Sequence, residues 1–278
     1  MYPEALPYLR CPYEPTQALH LLPEAHAAAD GAILTGRLRC TGCGRHYTIR
    51  AGVADLLPRY RLPASPTQIT NALPLTAWLY ERLWRPRALS LLSGVALGYE
   101  RELPLLTELA AAQRGGLMVD VACSSGLYAR HLERARGNAP GHVIGIDHAF
   151  PMLRQARKLA QQEGLRISFV RAQAQVLPLA DGAATFVAMG GSLNEIGDSR
   201  AALQQMRRVM AHDGRCFLMC LVAAERTLGQ AVQHMLALGG LEFLPLATLN
   251  QRLRGTGLRL RAQWCYGPVA LSLLTVAG

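Results

Sequence analysis

The chain has 278 residues, half of them apolar and 17% charged, with a formal net charge of +10. This composition predicts a packed globular core and excludes an intrinsically disordered chain. The positive charge comes mostly from arginines spread along the chain. It indicates either a solvated basic surface or a surface that attracts RNA, anionic lipid or an acidic substrate.

Seven cysteines are scattered along the chain, and among them Cys40 and Cys43 form a C-x-x-C pair. An odd, scattered set argues against a secreted disulfide framework and for a reducing compartment. No basic-then-apolar signal segment opens the sequence. The longest apolar stretches are broken well short of the roughly 20 residues that a membrane span needs. We therefore expect a cytoplasmic protein with no transmembrane segment.

Residues 1–58 form the first predicted unit, in which short strand-like runs flank glycine turns. A unit of this size buries little surface, so it needs a metal or a neighbour to be stable. Zinc prefers four ligands, often with cysteine pairs on tight turns, and CTGCGRHYTIRAGVADLLP supplies one such turn. This segment resembles the small zinc-ribbon unit of the Trm112 type.

The resemblance implies a structural zinc site in which Cys11, Cys40 and Cys43 supply thiolates and Glu14 occupies the fourth ligand position. A carboxylate can bind zinc, so a Cys3Glu set is one option. The other candidates for the fourth ligand are the histidines His20, His26 and His46. The alternative interpretation is a ribbon that has lost its metal and is held by packing.

Residues 59–112 are predicted to be a linker followed by helices. The stretch 59–74 is rich in proline and has the composition of a linker. From residue 75 to residue 112, apolar residues recur at a spacing of three and four, which is typical of amphipathic helices.

From residue 117 onward, strand-like and helix-like runs alternate. We expect strands at 117–122, 142–147, 166–170, 185–190, 216–222, 258–266 and 269–277, and helices at 126–136, 150–163, 199–211 and 246–255. This alternation predicts an α/β fold with a doubly wound, mainly parallel, seven-stranded sheet. The link Tyr266-Gly267-Pro268 is too short for a parallel crossover, so the last strand must be antiparallel.

A cofactor loop is predicted directly after the first of these strands, over residues 120–126 (DVACSSG). Its small residues let the backbone approach a ligand, and the N–H groups at the start of the next helix can hold an anionic group. The second strand ends at Asp147, whose carboxylate can accept both hydroxyls of a ribose. The loop lacks the G-x-G-x-x-G of a dinucleotide site. Asp120 at its front suits a cofactor with a positive charge and an amino group, and S-adenosylmethionine (SAM) has both.

Over roughly 115–221 the chain resembles the class I SAM-dependent methyltransferases, of the type 11 or UbiE-like kind. Four segments carry this resemblance in the family's order: MVDVACSSGLYARHL, VIGIDHAFPMLRQAR, FVRAQAQVLPLADGAATFVAMGGSLNEIGD and ALQQMRRVMAHDGRCFLMC. It implies a Rossmann-like methyltransferase domain over residues 113–278.

The resemblance also implies which residues contact SAM: Asp120, Ala122, Ser124, Gly126, Asp147, His148, Met152, Gln173, Ala174 and Gly190. The first motif is usually D-x-G-x-G-x-G, so Ala122 and Ser124 replace its first two glycines. Gln173 stands where many members have an aspartate that accepts from the adenine amino group, and a glutamine carbonyl can accept as well. The alternative for the loop is a strand-to-helix turn without a ligand.

The segment PLTAWLYERLW, between the ribbon and the domain, resembles plastid and bacterial methyltransferases of undefined substrate. This resemblance implies that residues 59–112 include a helix that covers the cofactor, with Tyr80 beside it. Ordinary helix packing is the other explanation for Tyr80.

The methyl acceptor is expected to lie against residues 190–195, just past the fourth strand. Asn194 and Glu195 are the candidate catalytic residues, which could orient or deprotonate an acceptor. Otherwise this loop only caps the helix that begins near Asp198. Residues 223–245 carry Met235, Leu236, Leu238 and Leu241, which favour an apolar acceptor such as a quinone, a pigment precursor or a lipid-like molecule, although core packing explains them too.

Three functions are compatible with this sequence. The first is a SAM-dependent methyltransferase that acts at oxygen or carbon of a small, apolar molecule. The second is an rRNA or tRNA base methyltransferase, because a zinc ribbon ahead of a class I domain also resembles a guanine methyltransferase of large ribosomal RNA and the basic charge suits RNA. The third is a degenerate, non-catalytic domain that serves as an interaction module.

Overall fold

The computed structural model describes residues 1–58 and 98–277. The proposed linker, the start of the helical segment and Tyr80 lie outside the described residues. The strands are β1 (Leu19–Leu21), β2 (His26–Ala27), β3 (Ile33–Cys40), β4 (His46–Arg50), β5 (Val53–Asp55), β6 (Gly116–Val121), β7 (Gly141–Asp147), β8 (Ile167–Arg171), β9 (Ala184–Gly190), β10 (Met210–Leu221), β11 (Leu258–Tyr266) and β12 (Val269–Val276). The α-helices are α1 (Tyr99–Ala110), α2 (Leu127–Arg136), α3 (Phe150–Gln162), α4 (Ser199–Val209), α5 (Thr227–Leu238) and α6 (Leu246–Gly255).

These strands form one mixed sheet in the order β1-β3-β4-β5-β8-β7-β6-β9-β10-β12-β11, with β2 paired to β3. The strands from β5 to β10 along this order are parallel. Strand β12 lies between β10 and β11 and is antiparallel to both. The predicted α/β fold with a mainly parallel sheet and a reversed last strand is therefore confirmed.

Two elements differ from the sequence-based expectation. Strand β10 begins at Met210, directly after α4, and not at residue 216. Residues 223–245, expected only as an insertion, contain α5. The early start of β10 follows from tertiary contacts, because β10 pairs with β9 from Met210 onward and tertiary pairing overrides local propensity.

The N-terminal strands continue the central sheet. Strand β5 pairs in parallel with β8, with Val53 opposite Phe169 and Asp55 opposite Arg171. Residues of the first 58, such as Leu38, share one apolar cluster with residues of the central strands, such as Val170. Residues 1–58 are therefore stabilised by packing against the central sheet. The domain boundaries at 58 and 112 stay predictions.

The helices cover the two faces of the sheet and change face between two adjacent strands. Helix α2, which follows β6, packs through Leu132 on the same face as α1 and α3. Helix α4, which follows β9, packs through Leu203 on the other face together with α6. Because β6 and β9 are neighbours, a crevice opens at their carboxyl ends, where doubly wound sheets bind ligands.

Candidate cofactor site

The loop after β6 has an alternating left-handed backbone. Ala122 has a φ of 54°, Ser124 a φ of 50° and Gly126 a φ of 76°. These are the three positions at which the motif D-x-G-x-G-x-G has glycine. A left-handed conformation costs a residue with a Cβ about 1 kcal/mol or more. The loop therefore keeps the shape of the glycine-rich motif although two of its residues disfavour that shape.

Gly126 is required at its position for a second reason. A Cβ added there would lie 3.1 Å from the Cβ of Ala156 and 3.2 Å from Cε1 of Phe169. The strand-to-helix turn thus packs directly on α3 and β8. This close approach explains why the last glycine of the motif is retained.

Asp120 lies at the end of β6 and is 2% exposed. Its Oδ2 accepts a hydrogen bond from the backbone N–H of Ala129 at 2.9 Å. A carboxylate at the N-terminus of a helix satisfies an open donor and opposes the positive end of the helix dipole. The structure thus gives Asp120 a role in holding α2, and its contact with a cofactor stays a prediction.

Asp147 ends β7 directly beside the loop. Its Oδ2 accepts from the backbone N–H of Ser124 at 2.8 Å, and its Oδ1 accepts from the N–H of Ala149 at 2.8 Å. A carboxylate offers about four lone-pair sites, so two bonds leave capacity for the two hydroxyls of a ribose. Nδ1 of His148 lies 3.5 Å from the same carboxylate. The loop and the end of β7 are thus joined into one site.

The predicted cofactor residues around Asp147 are brought together. Oγ of Ser124 lies 3.5 Å from Sδ of Met152, and Met152 is buried against Ala149. The side chain of His148 is about one-third exposed. The buried thiol of Cys123 lies between the two carboxylates of the site, and its burial together with Asp120 and Asp147 raises its pKa, so it is a neutral thiol.

Gln173 lies two residues beyond β8, at the same edge of the sheet. Among the described residues, its Oε1 has no hydrogen-bond partner although it is buried. A buried acceptor left unpaired costs about 1–3 kcal/mol, so this oxygen points to a ligand that donates a hydrogen bond. The next residue, Ala174, is buried as well. The adenine amino group of SAM is a donor of the required kind.

The loop after β9 closes against the loop after β6. Gly190 ends β9, and the N–H of Gly191 donates to the carbonyl oxygen of Met219 at 2.8 Å. Oγ of Ser192 lies 3.4 Å from the carbonyl oxygen of Ala122. Gly190 therefore flanks the predicted cofactor loop, as the sequence suggested.

The side chain of Asn194 is engaged by backbone groups. Its Nδ2 donates to the carbonyl oxygens of Leu221 and Glu242 at 2.8 and 2.6 Å, and its Oδ1 accepts from the N–H of Leu221 at 2.9 Å. The side chain, 7% exposed, holds the end of β10 to the chain before α6. These bonds give Asn194 a structural role, and the catalytic roles of Asn194 and Glu195 stay predictions.

The alternative interpretation of this loop is confirmed in part. Oδ1 of Asp198 accepts from the N–H of Ala201 at 2.9 Å and caps α4. Beyond Asn194, a cleft of about 650 Å³ lies between the start of α4 and α6 and is lined by polar side chains such as Arg200 and Gln251. The apolar residues expected to shape an acceptor pocket, Met235, Leu236, Leu238 and Leu241, do not line this cleft. Met235 and Leu238 are 73% and 80% exposed.

The predicted metal ligands converge in the N-terminal strands. The sulfur atoms of Cys11, Cys40 and Cys43 lie within 4.8 Å of one another. Oε2 of Glu14 lies 3.9 Å from Sγ of Cys40, and the hydroxyl of Tyr47 lies 3.0 Å from Sγ of Cys11. Three thiolates and a nearby carboxylate are a donor set that suits zinc.

The histidines considered as a fourth ligand are not part of this cluster. Within residues 1–58 and 98–277, the group of possible ligands contains the three thiols and no histidine nitrogen. His46 is exposed at the start of β4. Glu14 also lies outside this group, but its Oε2 is 3.9 Å from Sγ of Cys40, so it stays the proposed fourth ligand.

Among the described residues, no helix has both the length and the apolar composition to cross a lipid bilayer.

Comparison with known proteins supports the fold and the motifs. Residues 119–218 match a family described as a methyltransferase domain. An uncharacterized chloroplastic methyltransferase of Arabidopsis thaliana is 30% identical over 193 residues, which cover 66% of this chain and 53% of that protein. A demethylmenaquinone methyltransferase of Thermus thermophilus is 36% identical over 109 residues, which cover 39% of this chain and 48% of that protein. The chain thus spans about half the length of the curated relatives it matches.

The crystal structure of the [4+2]-cyclase SpnF has a similar fold, with a TM-score of 0.59 and 17% sequence identity. The alignment covers 78% of this chain and 98% of that chain. A likeness at this identity concerns the fold, and the chemistry must be argued from the site.

Proposed function

Because the chain carries a class I SAM-dependent methyltransferase domain, we propose that it transfers a methyl group from SAM to a small, apolar acceptor. The backbone of the loop 122–126 carries this proposal. A strained conformation persists only where the surrounding structure imposes it, and here it persists at both substituted glycine positions. Ala51 and Ala111 are left-handed in ordinary turns, so what supports the proposal is the alternation of three left-handed residues at the glycine positions of the motif.

The residues present fit SAM. The carboxylate of Asp147 has lone pairs left for the ribose hydroxyls. The unpaired Oε1 of Gln173 suits the adenine amino group, and the curled backbone of residues 122–126 leaves room for the methionine end. Met152 and Ala149 add an apolar surface beside the adenosine. Ala174, Gly190 and His148 complete the proposed set.

The chain's own part in the reaction is mostly positioning. SAM, when bound, supplies an electrophilic methyl group on a sulfonium. Much of the rate of such a transfer comes from holding the acceptor in line with that methyl group. A general base is needed only when the acceptor is not already nucleophilic, and the proposal keeps Glu195 as the candidate base because Asn194 is occupied by backbone contacts.

A quinone-like ring methylated at carbon is the acceptor class we propose. The Thermus relative is named as a demethylmenaquinone methyltransferase, and a second relative, from Legionella pneumophila, as a ubiquinone/menaquinone biosynthesis C-methyltransferase. An aromatic ring carbon activated by hydroxyl groups is itself nucleophilic. Methylation of such a carbon therefore needs no base stronger than the carboxylate of Glu195. Transfer of a labelled methyl group to a demethylated quinol, followed by identification of the methylated atom, tests this class.

Calorimetry with S-adenosylhomocysteine tests the cofactor site. Asp147→Asn and Gln173→Leu each remove a proposed acceptor and are expected to weaken binding by about tenfold, since one hydrogen bond to a charged or buried group contributes about 1.5 kcal/mol. Asp213→Asn removes the same charge from an exposed residue at the start of β10 and serves as the control. No binding at millimolar ligand, or equal binding by all four proteins, would refute the proposal.

An RNA base is the second candidate acceptor, favoured by the net charge of +10 and a pI near 9.7. Binding through phosphates weakens steeply with salt. Titration of ribosomal or transfer RNA at increasing salt distinguishes this function from a small-molecule methyltransferase. A non-catalytic interaction module is the third candidate, and it predicts no binding of the cofactor.

We further propose that Cys11, Cys40 and Cys43, with Glu14 as the fourth ligand, hold a structural zinc ion. Elemental analysis of the purified protein tests it, and a zinc-free, folded preparation rejects it. The proposal also keeps a cytoplasmic location, which fractionation of cells expressing the protein examines.

A further inference from the structure

Helix α5 carries its large apolar side chains on the outside. Met235 is 73% exposed, Leu238 is 80% exposed and Val232 is 36% exposed. Residues three apart lie on neighbouring turns of one side of a helix, so these side chains form a continuous stripe. Methionine and leucine are usually buried in folded proteins, and within residues 1–58 and 98–277 no contact buries this stripe.

The inner side of the same helix is polar. Gln233 is 6% exposed, and its Oε1 accepts from the N–H of Ala224 at 2.8 Å while its Nε2 donates to the carbonyl oxygen of Val222 at 2.8 Å. Gln233 and Met235 lie on opposite sides of the helix, because two residues span about 200° of turn. These bonds fix the helix with its polar side inward and its apolar side outward.

The stripe lies at the edge of the sheet that carries the cofactor loop. Strand β10 is parallel to β9, and β9 is parallel to β6. Their carboxyl ends therefore share one edge. Helix α5 begins six residues after β10 ends at Leu221, so the helix starts near this edge.

The charge of the protein suits an anionic surface. The chain has a net charge of +10. Near α5 itself, the exposed Arg226 is offset by the exposed Glu225, so the attraction would come from the field of the whole protein. The field of a basic protein attracts it to anionic membranes, where an exposed apolar stripe can enter the interface.

We propose that α5 docks on an anionic lipid bilayer by inserting Val232, Met235 and Leu238 among the lipid headgroups. The inference does not rest on the proposed function, because it concerns the surface of α5 and not the reaction. Docking through α5 would bring the carboxyl edge of the sheet near the membrane. An apolar acceptor could then reach the proposed cofactor site from the lipid.

Co-sedimentation with lipid vesicles tests this docking. The wild-type chain is expected to bind vesicles of phosphatidylcholine mixed with phosphatidylglycerol, and to bind vesicles of phosphatidylcholine alone much less. Met235→Glu combined with Leu238→Glu is expected to weaken binding by about tenfold or more, because two apolar side chains no longer enter the interface.

Two control variants separate the stripe from the charge. Gln230→Glu combined with Ala237→Glu adds two carboxylates to exposed positions away from the stripe on the same helix and should retain most of the binding. Met235→Leu combined with Leu238→Met keeps the stripe apolar and should bind like the wild type. Circular dichroism and cofactor affinity show that each variant is folded.

Several results would overturn the proposal. One is a wild-type chain that does not sediment with anionic vesicles, and another is equal binding by the variant Met235→Glu/Leu238→Glu. A wild-type dimer that this variant converts to a monomer would make the stripe a contact between two copies. RNA that displaces the wild type and binds the variant equally well would assign the basic charge to nucleic acid.

Discussion

Strands β7 and β8 lie side by side, and their two ends are built differently. At the amino ends, Nε2 of His142 lies 2.8 Å from Oγ of Ser168, and the same Oγ accepts the N–H of Tyr2 at 2.9 Å. His142 and Ser168 are 3% and 0% exposed. The buried polar groups of His142, Ser168 and Tyr2 thus have hydrogen-bond partners within the protein, as buried polar groups need.

At the carboxyl ends, acceptor capacity is left over. Asp147 takes two N–H groups and can take more, while Oε1 of Gln173 is buried and has no partner within residues 1–58 and 98–277. The amino ends are thus arranged for stability and the carboxyl ends for a ligand. The comparison predicts that removing the polar groups at the amino ends changes folding, and that removing the acceptors at the carboxyl ends changes binding.

The largest effect is expected from the protonation of His142. Burial lowers its pKa from 6.5 to about 4, so the unfolded chain takes up a proton at a higher pH than the folded chain. Stability is then lost as the pH falls through this window, by about 3 kcal/mol from this residue. Urea unfolding at neutral pH and near pH 4 should show a smaller loss for His142→Gln than for the wild type. Equal losses would contradict the assignment.

Gly126→Ala is expected to be the next most disruptive change, because it adds a Cβ to a left-handed residue and presses it on Ala156 and Phe169. We expect a loss of about 2–3 kcal/mol in the free energy of unfolding. Gly137→Ala is the control, since Gly137 also has a positive φ but nothing within 4 Å of the added Cβ; its cost should be about 1 kcal/mol. Similar losses for both variants would show that packing around Gly126 is loose.

Ser168→Ala tests the amino ends directly. It leaves the buried N–H of Tyr2 without its acceptor, which should lower the free energy of unfolding by about 1–2 kcal/mol. The affinity for S-adenosylhomocysteine should not change. A loss of affinity in a folded Ser168→Ala protein would break the proposed division between the two ends.

Gln173→Leu should give the opposite result with the smallest change in stability. Replacing an unpaired buried acceptor by an apolar side chain is expected to leave the free energy of unfolding unchanged or to raise it by about 1 kcal/mol. The affinity for S-adenosylhomocysteine should fall, as calorimetry would measure. A destabilised protein with unchanged affinity would instead give Gln173 a structural role.

The sequence was sufficient for the periodic part of the fold. Alternating apolar runs predicted β6 to β12, and the short Tyr266–Pro268 link predicted the antiparallel last strand. The pairing of β5 with β8 was not predictable, because a strand of three residues carries no signal about its partner. The position of β5 in the sheet depends on packing between residues that are more than a hundred positions apart in the sequence.

The site was predictable in its residue types but not in its contacts. Asp147 and Gln173 followed from their positions after two strands. The left-handed backbone at Ala122 and Ser124 did not, because neither residue type favours it. Asn194 looked like a catalytic group from its place after β9, yet the bonds that occupy it come from Leu221 and Glu242, whose proximity only the folded chain creates.

The parallel pairing of β5 with β8 also governs how the protein could be divided. Without residues 1–58, strand β8 would become an open edge with a row of unpaired N–H and C=O groups, flanked by the buried side chains of Phe169 and Val170. Exposed edges of this kind recruit strands from other molecules and lead to aggregation. The N-terminal strands therefore act as a cover for the central sheet, and a shortened chain that kept every proposed cofactor residue would still be expected to precipitate.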